Sequence, residues 1–168
     1  LDGFVIRAGM RAAVAHVGCM VRLGPDGKLW VTMGDSTVSR LAQDQSSLNG
    51  KILRVNTDGS VPPDNPVSPS RNERTAIFTF GHRNPQGLAF QPGSGVPVEV
   101  EHGEDTHDEI NVLVAGANYG WPTVSGQAGV VIEKHVEAGQ WVAPGERLFK
   151  IADVRRLTEI AGELGIGT

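Results

Sequence analysis

Residues 101–109 gather five carboxylates, two imidazoles and a glycine into nine positions: Glu101, His102, Gly103, Glu104, Asp105, Thr106, His107, Asp108 and Glu109. A hard cation such as calcium would use the carboxylates together with backbone carbonyls that a glycine turn can aim inward, whereas zinc would draw on the imidazoles. The spacing fits neither a standard zinc signature nor an EF-hand loop, so a metal site and a solvated acidic loop both stand as readings. Arg83, Asn84 and Gln86 surround a turn stiffened by Pro85. A fixed cation beside two amides suits a planar ligand that carries carboxylates, and the same turn could equally satisfy its own backbone. His16, just ahead of Gly18, has the side chain whose ordinary pKa suits a general base near neutrality. Asp35 could orient that ring. The alternative is a structural histidine.

Strands must hold these residues, and the turn chemistry supplies them. Val21-Arg22-Leu23, then Gly24-Pro25-Asp26-Gly27, then Leu29-Trp30-Val31-Thr32-Met33 reads as a β-hairpin closed by Gly34 and Asp35. Lys51-Ile52-Leu53-Arg54-Val55-Asn56 alternates and stops at Thr57-Asp58-Gly59-Ser60, and a proline-rich loop follows over residues 61–70. Residues 76–80 form a further strand, and Leu88 opens another after the turn at 83–87. Only residues 39–48 have the composition of a short helix. The segment at Val21 recurs at Leu88, 67 residues later, with the same order of apolar residues, proline and glycine. Such a strand–turn–strand repeat predicts propeller blades with long inserted loops, against the alternative of two unrelated hairpins that share turn residues. Pro97 falls where the second copy needs a strand interior, which predicts an edge or a bulged strand. Beyond Trp121 and Pro122 the pattern changes. Residues 129–136 and 148–151 read as β runs separated by turns at 137–140 and 144–146, with a domain boundary near 126–128 that divides the chain into 1–127 and 128–168.

The chain has 168 residues, enough for one ordinary domain or two small ones. A formal charge of −4 gives no cationic field for phosphate backbones, so nucleic acid is not expected as a partner. Hydrophobic residues at 39% and charged residues at 20% make the chain globular rather than disordered. Its 22 glycines and 10 prolines favour short strands and tight turns, hence an all-β fold. Cys19 is the single cysteine, which removes an internal disulfide and a thiolate cluster. No apolar run is long enough to cross a bilayer and no export signal opens the sequence, so membrane insertion is not expected. The chain opens on Leu1 rather than methionine, as a processed form or a piece of something longer would.

In order along the chain, His16-Val17-Gly18, residues 23–35, Ala42-Gln43-Asp44, residues 48–54, Gly81-His82-Arg83-Asn84-Pro85-Gln86-Gly87, residues 101–103 with 108–111, and Asn118-Tyr119-Gly120-Trp121-Pro122 resemble the soluble PQQ-dependent aldose sugar dehydrogenases. These form the glucose/sorbosone dehydrogenase family of six-bladed propellers. The resemblance spans residues 16–124 and implies a partial six-bladed β-propeller of two to three blades. It implies that His16 takes the proton from the anomeric hydroxyl of an aldose while hydride passes to pyrroloquinoline quinone (PQQ), with Asp35 holding the imidazole. Gln43 and Asp44 would lie at the substrate, and Arg83, Asn84, His102 and Asp108 at the cofactor. Gly103 and Glu104 would offer carbonyls to the calcium that polarises the quinone. Glu104 stands where the family commonly has proline, and Cys19 where a second glycine is usual.

The tail over 129–160 resembles the lipoyl-like hairpin of periplasmic efflux adaptors, the membrane fusion proteins. Arg155 occupies the position of the lipoylated lysine, which makes the segment a packing module and half of a barrel-sandwich unit; residues 2–6 echo its strand pattern. The resemblances imply an oxidoreductase acting on a sugar. Two other readings stand beside it: a non-catalytic interaction module whose tail docks on an envelope protein partner, and a chain joining pieces of two genes. Self-association into a homo-oligomer could close the ring. Both resembled families work outside the cytoplasm, which implies the periplasm.

Overall fold

Gly24 and Gly27 set the first tight turn: the Gly27 N–H donates to the Gly24 carbonyl at 3.0 Å, and the hairpin expected there forms as β1 (Val21–Leu23) and β2 (Leu29–Met33). The structure, a computed structural model, describes residues 8–105, 107–123, 130–134 and 149–152. After a single 3-10 turn at Ser39–Ala42 come β3 (Lys51–Val55) and, beyond an inserted loop, β6 (Ile77–Phe80). Together they make a four-stranded antiparallel sheet in the order β1-β2-β3-β6. The inserted loop carries the two-residue pair β4 (Val67–Ser68) and β5 (Glu73–Arg74). A second sheet follows, three-stranded and antiparallel: β7 (Pro85–Phe90), β8 (Pro97–Glu101) and β9 (Glu109–Val112). The described residues are thus all-β, in two successive blade-like sheets, which agrees with a fragment of a propeller.

β1–β2 and β7–β8 occupy equivalent places, each the first hairpin of its sheet, where the repeated segments begin. Between the sheets lies the core. Trp30, Ile52, Leu88 and Leu113 are buried there, with Met20, Phe78, Phe90 and Tyr119 packed against them. Trp30 meets Phe78 and Phe90 edge-on, at ring-centroid distances of 4.4 and 5.4 Å, the arrangement that aromatic quadrupoles favour. Ile52 is fully buried, a contribution of about 2 kcal/mol from its side chain alone.

Register sorts the side chains of the second sheet. Glu99 faces Asn111 and Glu101 faces Glu109, while Val98 faces Val112 and Val100 faces Ile110. Alternation therefore places the polar set on one face and the apolar set on the other. The polar face is the buried one: Glu99, Glu101, Glu109 and Asn111 all lie inside, whereas Val100 and Val112 are exposed.

Four sequence expectations change. No α-helix forms over 39–48, because the chain bends after one 3-10 turn at Gln43 and Asp44. Pro97 opens β8, which is central and not an edge; as the first strand residue it breaks no interior ladder, and the irregularity falls in the β7–β8 pairing between Pro85 and Gly87. β7 begins at Pro85, so the turn expected over 83–87 is partly strand. The acidic stretch is not a loop throughout, since Glu101 ends β8 and Glu109 begins β9. In the tail, β10 (Val130–Lys134) pairs antiparallel with β11 (Phe149–Ala152). The boundary near 126–128, Arg155 and the echo at 2–6 lie outside the described residues.

Candidate active site

His16 enters from the segment leading to β1. Its φ of 53° lies in the left-handed region, which a non-glycine residue holds only when its surroundings impose it. Those surroundings are specific. The Ser36 N–H donates to the His16 carbonyl at 3.0 Å, and Gly34 passes so near that a Cβ there would sit 2.1 Å from the same oxygen. His16 Nδ1 lies 2.9 Å from Asp35 Oδ1. Asp35 is only 1% exposed and accepts two more hydrogen bonds, from the Thr37 N–H and from the Trp121 indole N–H, each 2.8 Å. A carboxylate can only accept here, so the neutral form of the ring carries its proton on Nδ1 and turns the Nε2 lone pair to another group.

The turn before β7 brings the guanidinium and the amide. The Asp35 N–H donates to the Arg83 carbonyl at 2.8 Å, which fastens the end of the first sheet to this turn. The Arg83 guanidinium lies over the Trp121 ring, 5.3 Å from its centroid, and Nη1 donates to the His102 carbonyl at 3.3 Å. Its Nε is buried and has no partner among the described residues. Asn84 accepts the Gly18 N–H at 3.2 Å on its side chain and the His102 N–H at 3.2 Å on its carbonyl. Asp35 and Arg83 therefore meet on Trp121, with His16 bonded to Asp35, His102 to Arg83 and Asn84 to His102.

The bend between β8 and β9 closes on itself. Asp108 Oδ1 accepts the Gly103 N–H at 3.2 Å and lies 3.4 Å from His102 Nδ1. Only glycine fits at 103, since a Cβ would fall 1.7 Å from the His107 carbonyl oxygen. The Glu104 carbonyl accepts both the N–H of His107, at 3.1 Å, and its ring Nδ1–H, at 3.0 Å. An open depression of about 260 Å³ adjoins this bend, lined by Gln86, Gly87, Val100, Glu101, His102 and Asp108.

Gln43 donates from Nε2 to the Trp121 carbonyl at 2.6 Å, which places it beside the same ring. Asp44 does not join it. Its Oδ1 accepts the Ser46 hydroxyl at 2.6 Å and the Ser46 N–H at 2.9 Å, and these bonds hold the carboxyl below the usual carboxylate range.

Two contributors stood in the quoted stretches without a role of their own. Trp121 bridges Asp35, Arg83 and Gln43, and its signal was its place in the Asn118 to Pro122 string. Glu101 Oε2 accepts the N–H groups of Arg83, at 2.7 Å, and Asn84, at 3.3 Å, and so holds the turn from beneath. Its alternation with Glu99 was the available signal, masked because carboxylates read as solvated.

Comparison with known proteins gives these contacts a context. The chain is 39% identical over 138 residues to quinoprotein glucose dehydrogenase B of Acinetobacter calcoaceticus, covering 71% of this chain and 28% of that one. It is 38% identical over 107 residues to an aldose sugar dehydrogenase of Escherichia coli, covering 64% and 29%. The PQQ-bound form of the aldose sugar dehydrogenase of Streptomyces coelicolor superposes with a TM-score of 0.63 at 40% identity, over 69% of this chain and 33% of that one. The chain thus spans about a third or less of the length of these relatives. None of this supports the efflux-adaptor resemblance of the tail. The family model for Glucose / Sorbosone dehydrogenase matches residues 5–144, and the chain belongs to that family.

Proposed function

We propose that this chain is the portion of a PQQ-dependent aldose dehydrogenase that carries the proton acceptor and one wall of the cofactor pocket, and that it works in the periplasm. The observation that carries the reading is the link through Trp121, whose indole N–H holds the Asp35 that orients His16 and whose ring lies under the Arg83 guanidinium, with Arg83 Nε buried and without a partner among the described residues. PQQ, when bound, supplies the hydride acceptor. The chain's own residues do the rest. His16 Nε2 takes the proton of the sugar's anomeric hydroxyl, and the Asp35 carboxylate keeps the ring in the required tautomer and offsets the charge that develops on it. Arg83 and Asn84 bind the carboxylates and quinone oxygens of a flat ligand, with His102 and Asp108 at the same wall. Gln43 meets the substrate, while Asp44 shapes the adjoining turn.

Calcium fits less well. Of the two carbonyls assigned to it, that of Glu104 already accepts two hydrogen bonds from His107, so binding there requires the turn to open.

Titration of the purified chain with PQQ and calcium, followed by dye reduction with glucose, tests the reading. The expected result is a change in PQQ absorbance whose affinity falls at least tenfold in Arg83→Ala. His16→Ala should keep the absorbance change and lose sugar-dependent dye reduction. Absence of any cofactor-induced change in the wild type removes the proposal for this chain.

A second reading, an interaction module on a propeller-derived scaffold with an adaptor-like domain at 128–168, draws support from the antiparallel β10–β11 pair and from the exposed Val100 and Val112, a face that could meet another copy or an envelope protein. Truncation after Gln127 should then abolish partner binding; retained binding counts against it.

A further inference from the structure

Behind the 82–84 turn, away from the exposed bend at 103–108, the second sheet turns a row of carboxylates inward. Glu99 and Glu101 stand two residues apart on β8, opposite Asn111 and Glu109 on β9. His82 closes the group from above. The side chains of His82, Glu99 and Glu101 are 0%, 0% and 3% exposed. His82 Nδ1 lies 3.2 Å from Glu101 Oε1 and 3.7 Å from Glu99 Oε1. Asn111 Nδ2 contacts Glu99 Oε1 at 2.6 Å and Glu101 Oε1 and Glu109 Oε2 at 3.2 Å each, so two amide hydrogens serve three acceptors. Two atoms remain inaccessible and without a partner among the described residues: Glu99 Oε2 and Asn111 Oδ1.

Among the described residues Glu99 and Glu101 form no ion pair with a lysine or arginine, and the buried cations of the first sheet are engaged elsewhere: Lys51 with backbone carbonyls, Arg54 with Asp26 and Asp64. Burying carboxylates without a counter-charge is costly, and either protons or a cation can relieve it. The geometry favours the cation. His82, Glu99 and Glu101 each offer a ligand atom, all within 4.8 Å of one another. A tetrahedral ion with bonds of about 2.0–2.1 Å separates its ligand atoms by about 3.3 Å. The 3.2 and 3.7 Å separations bracket that value. The other ring nitrogen, Nε2, lies 2.9 Å from Thr79 Oγ1, and the ring stacks on Tyr119 at 4.7 Å. An outer partner of this kind fixes the tautomer and plane of a metal-binding histidine.

We infer that His82 Nδ1 and one oxygen from each of Glu99 and Glu101 form a site for a zinc-like divalent ion, completed by the Asn111 amide turned to present its oxygen. An imidazole with few oxygens suits zinc, whereas calcium takes six to eight oxygens. Burial raises the Glu99 carboxyl well above its ordinary value, and the Glu101 and Glu109 carboxylates raise it further against Asn111, as expected of a ligand awaiting its cation. This site is independent of the sugar-oxidation reading, and its test uses no activity.

The full chain, stripped with chelator and dialysed, should bind one equivalent of zinc by calorimetry and melt at a higher temperature with zinc present, since an ion bound only by the folded state stabilises it. Manganese should bind more weakly and calcium not measurably. Glu99→Gln should weaken zinc binding about a hundredfold, while His107→Ala in the exposed bend leaves it unchanged. X-ray absorption of the zinc-loaded wild type should show one imidazole among oxygen ligands, a readout that stands even if the variant fails to fold. Lack of zinc binding, binding retained in Glu99→Gln, or a two-imidazole spectrum pointing to His102 and His107 would each overturn the assignment.

Discussion

The two sheets bury opposite charges. β3 carries Lys51 and Arg54 into the first, while β8 and β9 carry Glu99, Glu101 and Glu109 into the second. The cations solve their burial with reach. Arg54 sends Nε to Asp26 at 2.7 Å, Nη1 to Asp64 and Asn65 and Nη2 to Asp64, each at 2.9 Å. Lys51 Nζ donates to the carbonyls of Leu41, Ala42 and Asn49 at 2.7, 3.0 and 2.7 Å. Glutamate side chains are shorter and accept only: Glu101 is met by the N–H groups of Arg83 and Asn84, while Glu99 has the Asn111 amide and one buried oxygen without a partner among the described residues. A buried long cation can find its own acceptors within one sheet, but a buried carboxylate pair must import a proton or an ion.

The largest expected effect tests the satisfied side. Arg54→Met leaves the buried Asn65 side-chain oxygen, Oδ1, without its donor and removes the clamp that fixes the inserted loop to β3. Asp26 and Asp64 can hydrate, so the expected loss is about 3 kcal/mol, below the upper range for breaking a buried pair, measured by urea unfolding. An unchanged midpoint would show that the network merely decorates the surface.

The next effect carries a pH signature. Burial pushes Lys51 down to about 7, against the pull of Asp44. The unfolded chain keeps that lysine protonated to about 10.4, so between these values the unfolded state holds the extra proton and stability rises with pH. Lys51→Met should cost about 2 kcal/mol through the carbonyls it orphans. It should also flatten the rise between pH 7 and 10 seen in the wild type by thermal melting. A slope that survives the substitution belongs to another group.

The same contrast explains what the sequence discloses. The first sheet was legible because Gly24, Pro25, Asp26 and Gly27 turn the chain between alternating apolar runs, and Trp30, Ile52 and Leu53 fall on strand periods. β9 was not. Glu109-Ile110-Asn111-Val112 alternates as a strand should, but its buried face is the polar one, and charge density alone makes that stretch read as solvent-facing. His16, Asp35, Arg83 and Asn84 drew notice by residue type, and their linkage through Trp121 and His102 depends on contacts up to 86 residues apart that no local pattern encodes. His82, next to Arg83, stayed hidden for the same reason as the glutamates: its partners come from β6, from β8 and from Tyr119, beyond β9.

The smallest effect is the most discriminating, because its sign reverses. In the metal-free protein Glu99 holds its proton to a pH well above that of an ordinary carboxyl, chiefly through burial and then through Glu101. The unfolded chain releases that proton near 4.5, so as pH rises past this point the folded state binds the extra proton and stability falls. Glu99→Gln has no proton to lose, and its amide can donate to the neighbouring carboxylates. The chelated variant should therefore be more stable than the chelated wild type by about 1 kcal/mol at pH 7, with the gap closing toward pH 4. Added zinc should invert the order, since only the wild type retains the full ligand set. Two melting curves per protein, with and without the ion, decide whether the second sheet tolerates its carboxylates through protons alone: a gap indifferent to zinc would make the two sheets alike, each satisfied without help from outside the chain.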